Sequence, residues 1–242
     1  MVSSIRKHFN VSPQYAIEAP PLAFSDATHN IFIVAQQQIV IKQIRMACLA
    51  DSVFWQKMTS EFNAGLFSQF KKLEQIYQTL TEISPLNVPI FLKKVSKPSQ
   101  NFYAFSASLM PGETLLPEMV NKTMIKQLAK HLTACHSIGL IMPDLRWDQF
   151  LTNGKEITAF IDLDALIKAP IEIEFVVLEY LLTKQQAKWF LNEYQKERTV
   201  PNLSKVRNHY RKLLFTMNIL GETDYDIWMK QPFIFDKEKL NN

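Results

Sequence analysis

Glycine is scarce in this chain. Among 242 residues there are five, Gly65, Gly112, Gly139, Gly154 and Gly221. They lie too far apart for a dinucleotide fingerprint or a Walker-type phosphate loop, since both cluster glycines so that backbone amides can close on phosphate. Cysteine is scarcer: Cys48 and Cys135 can build neither a disulfide framework nor a cysteine-rich zinc site. So few thiols suit a reducing compartment. Long apolar runs are also missing. The longest stretches cover 31–35 and 175–182, the second interrupted by Glu179, well short of the ~20 residues of a spanning helix. The opening Met1-Val2-Ser3-Ser4-Ile5-Arg6-Lys7 has no apolar core behind it, so no secretory signal is expected. These absences predict a cytoplasmic protein without a membrane span. The charge excess is only +4, with a pI near 8.9. It suits an anionic small ligand and gives little support for a nucleic-acid partner. Hydrophobic residues make up 47%, enough for a sizeable core.

The pattern along the chain changes twice. Residues 22–24, 31–35 and 39–45 read as short strands, rich in β-branched and aromatic residues, and predict an antiparallel meander. Lys42 lies among the apolar neighbours of the third. From 51 to 80 there is no proline, and Phe54, Met58, Phe62 and Leu66 recur every four residues as on one helix face. Glu61 lies in this stretch. Strands follow at 88–95 and 102–109, joined by the turn-like Lys97-Pro98-Ser99-Gln100-Asn101. Met110-Pro111-Gly112-Glu113-Thr114 separates this half from a mainly helical one. There, helices are expected over 121–137, 172–182, 184–197 and 203–220, with a strand at 157–163 and a polar loop at 144–149.

Taken singly, the polar residues of interest read blandly. A strand lysine usually meets solvent, a helical glutamate usually faces water, and loop aspartates form turns or caps. His131 and His136 lack a third metal ligand and read as packing or capping residues. Trp147 reads equally as pocket wall or packing. The order of the residues changes these readings. Phe24-Ser25-Asp26-Ala27-Thr28-His29-Asn30-Ile31-Phe32-Ile33-Val34 is followed by Val40-Ile41-Lys42, then Ser60-Glu61-Phe62, then Met110-Pro111-Gly112-Glu113-Thr114-Leu115. Cys135-His136-Ser137-Ile138-Gly139 precedes Met142-Pro143-Asp144-Leu145-Arg146-Trp147-Asp148-Gln149, and Phe160-Ile161-Asp162-Leu163-Asp164 closes the series. Over roughly residues 20–182 this resembles the aminoglycoside phosphotransferase and choline kinase-like family, within the protein kinase-like fold. The Pro111–Leu115 and Ile161–Asp164 runs are the most specific pieces.

The resemblance implies an α+β, bilobal fold. A small antiparallel-sheet lobe would span 1–109 and a mainly helical lobe 110–242, with ATP and magnesium between them. It implies that Lys42 meets the ATP phosphates, held by an ion pair with Glu61, and that Ser25 and Thr28 contact phosphate or cap turns. Backbone groups from Met110 to Gly112 would hold the adenine. Asp144 would accept the proton of an attacking hydroxyl, and Arg146 would stabilise developing charge on the transferred phosphate. Asp162 would bind magnesium through hard oxygen. Gln149 stands where the family has a metal-binding Asn, and Asp164 is a further carboxylate for metal. The implied activity is transfer of the γ-phosphoryl of ATP to a hydroxyl of a small molecule or sugar. Met142 and Pro143 replace the family's His-Gly, and Gln149 its Asn. These departures leave open a second reading, a pseudokinase-type module that binds nucleotide or a partner without efficient transfer. Only about 80 residues follow Asp162, a short acceptor-binding region in which Glu172, Glu174 and Glu179 read equally as negative charge for a cationic acceptor or as solvated and capping residues.

Overall fold

The computed structural model describes residues 2–22, 27–221 and 223–235. Contacts divide the chain into two compact units, one of residues 1–52 with 89–110 and one of 53–88 with 111–242.

The first unit holds helix α1 (Val2–Phe9), strands β1 (His29–Val34) and β2 (Ile39–Ile44), a single turn α2 (Met46–Leu49), and strands β3 (Phe91–Lys97) and β4 (Phe102–Ser108). The strands form one antiparallel sheet in the order β1-β2-β4-β3. Strand alternation then sorts the side chains. Phe32, Val34, Ile41, Val95, Phe102 and Ala104 form one buried cluster with Ile5 and Phe9 of α1. Ile5 and Phe9 are four apart, so one short helix stripe suffices to cover that face. Lys42 lies between Ile31 and Phe105 in register, on the opposite face. Strand β3 is an edge of the sheet and carries Lys93, Lys94 and Lys97. The expected strands at 31–35, 39–45 and 102–109 correspond to β1, β2 and β4, and the strand at 88–95 begins later, at Phe91. The expected strand at 22–24 falls mostly outside the described residues.

The second unit opens with helices α3 (Val53–Phe62) and α4 (Leu66–Ile83). The stretch read as one helix is therefore two. Asn63 adopts left-handed backbone at φ 52°, and helix geometry cannot continue through it. After these come β5 (Glu113–Thr114), α5 (Lys122–Ser137), β6 (Leu140–Ile141), β7 (Phe150–Thr152), β8 (Ile157–Phe160), β9 (Ile167–Lys168), α6 (Glu172–Leu181), α7 (Lys184–Tyr194), α8 (Arg207–Thr216) and α9 (Tyr225–Met229). Strands β5-β7-β8 and β6-β9 form two small antiparallel sheets. The side chain of Asn121 accepts from the amides of Thr123 and Met124 at 2.9 and 3.1 Å and so starts α5. Thr183 and Gln186 make a reciprocal capping box at the start of α7.

The division at 109/110 expected from the sequence is not the one the contacts draw. Helices α3 and α4 belong with the helical unit. Helix α4 packs on α5 and on the turn Leu163–Ala165, and Gln69 Nε2 donates to the Leu166 carbonyl at 2.5 Å. Asn87 then continues this attachment. Its carbonyl accepts from Phe160 N–H at 2.9 Å, and its Nδ2 donates to the Thr158 carbonyl at 2.9 Å.

Helix α6 is buried at every residue from Ile173 to Glu179, as an all-apolar helix surface demands. Its two buried carboxylates, Glu174 and Glu179, both meet polar partners. Glu179 takes Arg211 Nη2 at 2.7 Å and Arg207 Nε at 3.2 Å. Arg211 is fully buried and also donates to the carbonyls of Met229, Gln231 and Pro232. It thereby fastens the segment after α9 to α8. Removing one member of such a cluster leaves buried charge uncompensated. Glu179→Leu, which strands two buried guanidiniums, is expected to lower unfolding free energy by about 3–5 kcal/mol in a denaturant titration. A loss below about 1 kcal/mol would show the guanidiniums to be hydrated.

Candidate active site

The loop from Met142 to Gln149 is built on buried polar contacts. Its first amide, Met142 N–H, donates to Glu174 Oε1 at 2.7 Å. The other oxygen of Glu174 accepts from His136 Nε2, and the hydroxyl of Tyr194 lies 2.8 Å from His136 Nδ1. Glu174, His136 and Tyr194 are all buried. The last residue of the loop closes it. Gln149 Oε1 accepts from Arg146 N–H at 3.1 Å, and Gln149 Nε2 donates to the Asp144 carbonyl at 3.1 Å. Trp147 is buried, 6.3 Å from the Phe150 ring.

Asp144 sits between these anchors. It is half-buried, and its Oδ1 is enclosed without a hydrogen-bond partner. Burial, followed by the charge of Asp162, raises its carboxyl from 3.8 to about 7, and the opposing pull of Arg146 does not restore it. Ile161 N–H donates to the Gln149 carbonyl at 2.8 Å and ties the segment that carries Asp162 to the loop. Asp162 immediately precedes the turn Leu163–Ala165, in which Asp164 is buried. Arg146 is half-buried, and its Nε donates to Asp148 Oδ1 at 3.1 Å. Burial disfavours its charge, but Asp144, Asp148 and Asp162 outweigh that and raise its pKa. The loop therefore brings Asp144, Arg146, Gln149 and Asp162 together.

The remaining sequence-derived candidates are carried by other elements. Glu61 is exposed, at the next-to-last position of α3. Lys42 is half-buried in the middle of β2, beside the stacked pair Phe91 and Phe105, whose ring centroids are 6.0 Å apart. Thr28 bonds its own neighbour, with Oγ1 3.3 Å from His29 Nδ1, and its carbonyl accepts from Arg45 N–H at 2.8 Å. Ser25 lies outside the described residues. Met110 receives a weak bond from the Ser108 hydroxyl at Sδ, 3.8 Å away. Gly112 has φ +129°, and a Cβ there would meet Thr158 Oγ1 at 3.0 Å, Leu151 Cβ at 3.1 Å and the Thr152 carbonyl at 3.2 Å. Close approach to β7 and β8 thus requires glycine.

One sequence reading changes on contact with the structure. Glu174 and Glu179 face inward onto His136, Met142, Arg207 and Arg211, so neither is a surface charge for a cationic acceptor. His131 and His136 do not share a ligand. His131 Nδ1 lies 2.9 Å from Ser84 Oγ, and burial drives the His131 imidazole pKa down to about 3. The sequence signal for the Glu174 anchor is a carboxylate inside the run Ile173–Leu178. It is visible, but its partner is not.

Among the described residues, no group of three or more His, Cys, Asp or Glu side chains forms a ready metal cluster. Magnesium does not require one, because it is commonly held by one or two carboxylates plus substrate phosphates. The enclosed, unpartnered oxygen of Asp144 near the charge of Asp162 fits a hard cation of that kind. Among the described residues, no helix is long and apolar enough to cross a membrane.

No family model and no curated protein matches the sequence. Solved structures do match in fold. A GDP complex of aminoglycoside 2'-phosphotransferase-IIIa aligns with TM-score 0.61 at 12% identity, covering 90% of this chain and 88% of that one. The ADP-bound aminoglycoside phosphotransferase APH(2'')-Ib gives 0.58 at 12% identity, covering 96% and 95%. The macrolide 2'-phosphotransferase MphH from Brachybacterium faecium gives 0.58 at 11%, covering 96% and 98%. The chain thus has an α+β protein kinase-like fold, with an antiparallel-sheet unit and a mainly helical unit. It shares that fold with the aminoglycoside and macrolide phosphotransferases.

The raised pKa of Asp144 has a stability consequence. Between pH 3.8 and about 7 the native carboxyl keeps a proton that the unfolded chain has lost, so this group's contribution to stability falls as pH rises through that window. Asp144→Asn should therefore be more stable than the parent at pH 8, with the gap closing toward pH 4. Denaturation midpoints at the two pH values check this, and an equal gap at both would contradict it. Gly112→Ala should cost about 1–3 kcal/mol through its strained backbone, read as a lowered thermal midpoint. An unchanged midpoint would mean the backbone there readily rearranges.

Proposed function

We propose that this protein is an ATP-dependent phosphotransferase that moves the γ-phosphoryl group to a hydroxyl of a small molecule or sugar. The observation that carries the reading is the loop that sets Asp144, with its unpartnered oxygen, beside Arg146 and close to Asp162. Phosphoryl transfer is mainly positioning and charge stabilisation, and this loop supplies both. Asp144 orients the acceptor hydroxyl and takes its proton as the oxygen bonds to the γ-phosphorus. The bond to the bridging oxygen breaks and ADP leaves. A carboxyl with a pKa near neutrality is matched to that task. Arg146 keeps its charge and meets the transferring phosphoryl oxygens. Asp162 and Asp164 hold magnesium, which when bound neutralises phosphate charge. In the sheet unit, Lys42 is assigned to ATP phosphate and the backbone of Met110 to adenine; Gly112, just beyond it in the helical unit, is assigned to the same base. Glu61, Ser25 and Thr28 are assigned supporting contacts. The inward-facing Glu174 and Glu179 argue for an acceptor that is not polycationic. Nucleic acid and membrane have no part in the reading, and the cytoplasm supplies the ATP.

The second reading, a nucleotide-binding module without efficient transfer, draws on Gln149, whose carboxamide lies on loop backbone. Calorimetry with ATP, with and without magnesium, separates the readings when paired with an acceptor screen for ADP release. Magnesium-dependent ATP binding is expected in the parent and absent in Asp162→Asn. Asp144→Asn should keep that binding and lose about 10²–10⁴-fold in kcat. Binding without turnover against any acceptor would favour the second reading. Absence of binding would overturn the phosphotransferase reading and leave the partner-binding form of the second.

A further inference from the structure

Gln149 is buried at 1% exposure, and both ends of its carboxamide are engaged within its own loop. The oxygen receives Arg146 N–H at 3.1 Å, and the nitrogen donates to the Asp144 carbonyl at 3.1 Å. Its backbone takes part as well. Gln149 N–H donates to the Arg146 carbonyl at 3.3 Å, and its carbonyl accepts from Ile161 N–H at 2.8 Å. A cation on Gln149 Oε1 would sit beside the positive end of the Arg146 N–H dipole, which repels it. An asparagine here is one methylene shorter and could not reach both backbone groups with the same amide.

From this geometry we infer that Gln149 is a positioning residue for Asp144 and not a metal ligand, so that the divalent cation is held at the Asp162–Asp164 turn without help from Gln149. The inference rests on the phosphotransferase reading for its metal half and on geometry alone for its clamp half. One could regard the paired bonds as an ordinary cap on the turn Trp147–Gln149. What exceeds a cap is their far end, because the Nε2 bond terminates on the carbonyl of Asp144 itself. The backbone that carries the reactive carboxylate is thereby fixed from inside the loop, while Glu174 fixes it from outside through Met142. A misplacement of about 1 Å at such a residue costs on the order of 10²-fold in rate.

Two variants separate positioning from ligation. Gln149→Asn keeps an amide oxygen for metal but loses the reach of the clamp. Gln149→Glu offers a stronger metal ligand but cannot donate to the Asp144 carbonyl. Three quantities are read on the full chain: hydrogen exchange at the Arg146 amide, the ratio of ATP affinities with and without magnesium by calorimetry, and kcat. In both variants we expect faster exchange at Arg146 and a kcat lower by about 10–100-fold. The magnesium ratio should stay within about twofold of the parent, whereas Asp162→Asn abolishes it. A ratio that falls in Gln149→Asn and rises in Gln149→Glu would make Gln149 a ligand and overturn the inference. Unchanged exchange at Arg146 with unchanged kcat would overturn the clamp. If the parent shows no magnesium-dependent ATP binding, the phosphotransferase reading fails and the metal half fails with it. The exchange measurement still decides the clamp half in that case.

Discussion

The helical unit depends on one carboxylate. Glu174 lies in the middle of an apolar helix, and its two oxygens are divided between a side chain of α5 and a backbone amide that opens the Met142–Gln149 loop. Burying that charge is costly unless every lone pair is met. The site meets it with His136, itself completed by Tyr194 from α7, and with Met142 N–H. Three helices and the loop must therefore arrive together, since any one of them misplaced would strand a buried charge. Such networks contribute uniqueness of arrangement as much as stability.

Five residues further along the same helix, Glu179 repeats the device in the other direction. It binds Arg207 and Arg211 of α8, and Arg211 reaches on to the carbonyls after α9. Helix α6 thus connects the loop bearing Asp144 with the segment 229–232 through two buried carboxylates and an apolar surface. Aromatic packing reinforces both ends. Phe175 meets Tyr194 edge-on with centroids 5.1 Å apart, and Tyr180 stacks on Trp228 at 3.8 Å.

Periodicity made much of this legible from sequence. Strands β1, β2 and β4 and helices α5, α6 and α7 announce themselves by alternation or by a four-residue repeat, and Asp144 and Asp162 lie in the loop and just past the strand where contiguous motifs put them. Features that depend on a partner distant in sequence were not legible. The break at Asn63 turns on a single left-handed residue that a helical hydrophobic repeat passes straight over. Helix α1 is short and polar, and it exists because the sheet offers Ile5 and Phe9 a surface. The membership of α4 in the helical unit follows from Gln69 and Asn87 bonding to backbone more than 70 residues away. Gln149 reads as a substitute for Asn when only its position is known. The extra methylene shows its use once the carbonyl of Asp144 and the amide of Arg146 are seen on the two ends of its carboxamide.

Strand β3 is an edge of the first unit's sheet, and Leu92 on it and Ile90 beside it are exposed. An edge strand invites a second chain to add itself on. Lys93, Lys94 and Lys97 lie along this rim, and Lys93 is anchored to the carbonyl of His8. Two copies meeting rim to rim would bring these cations into opposition. Repulsion of that sort is a common defence against runaway strand addition. The lysines of this rim thus set a charge barrier against strand addition between copies.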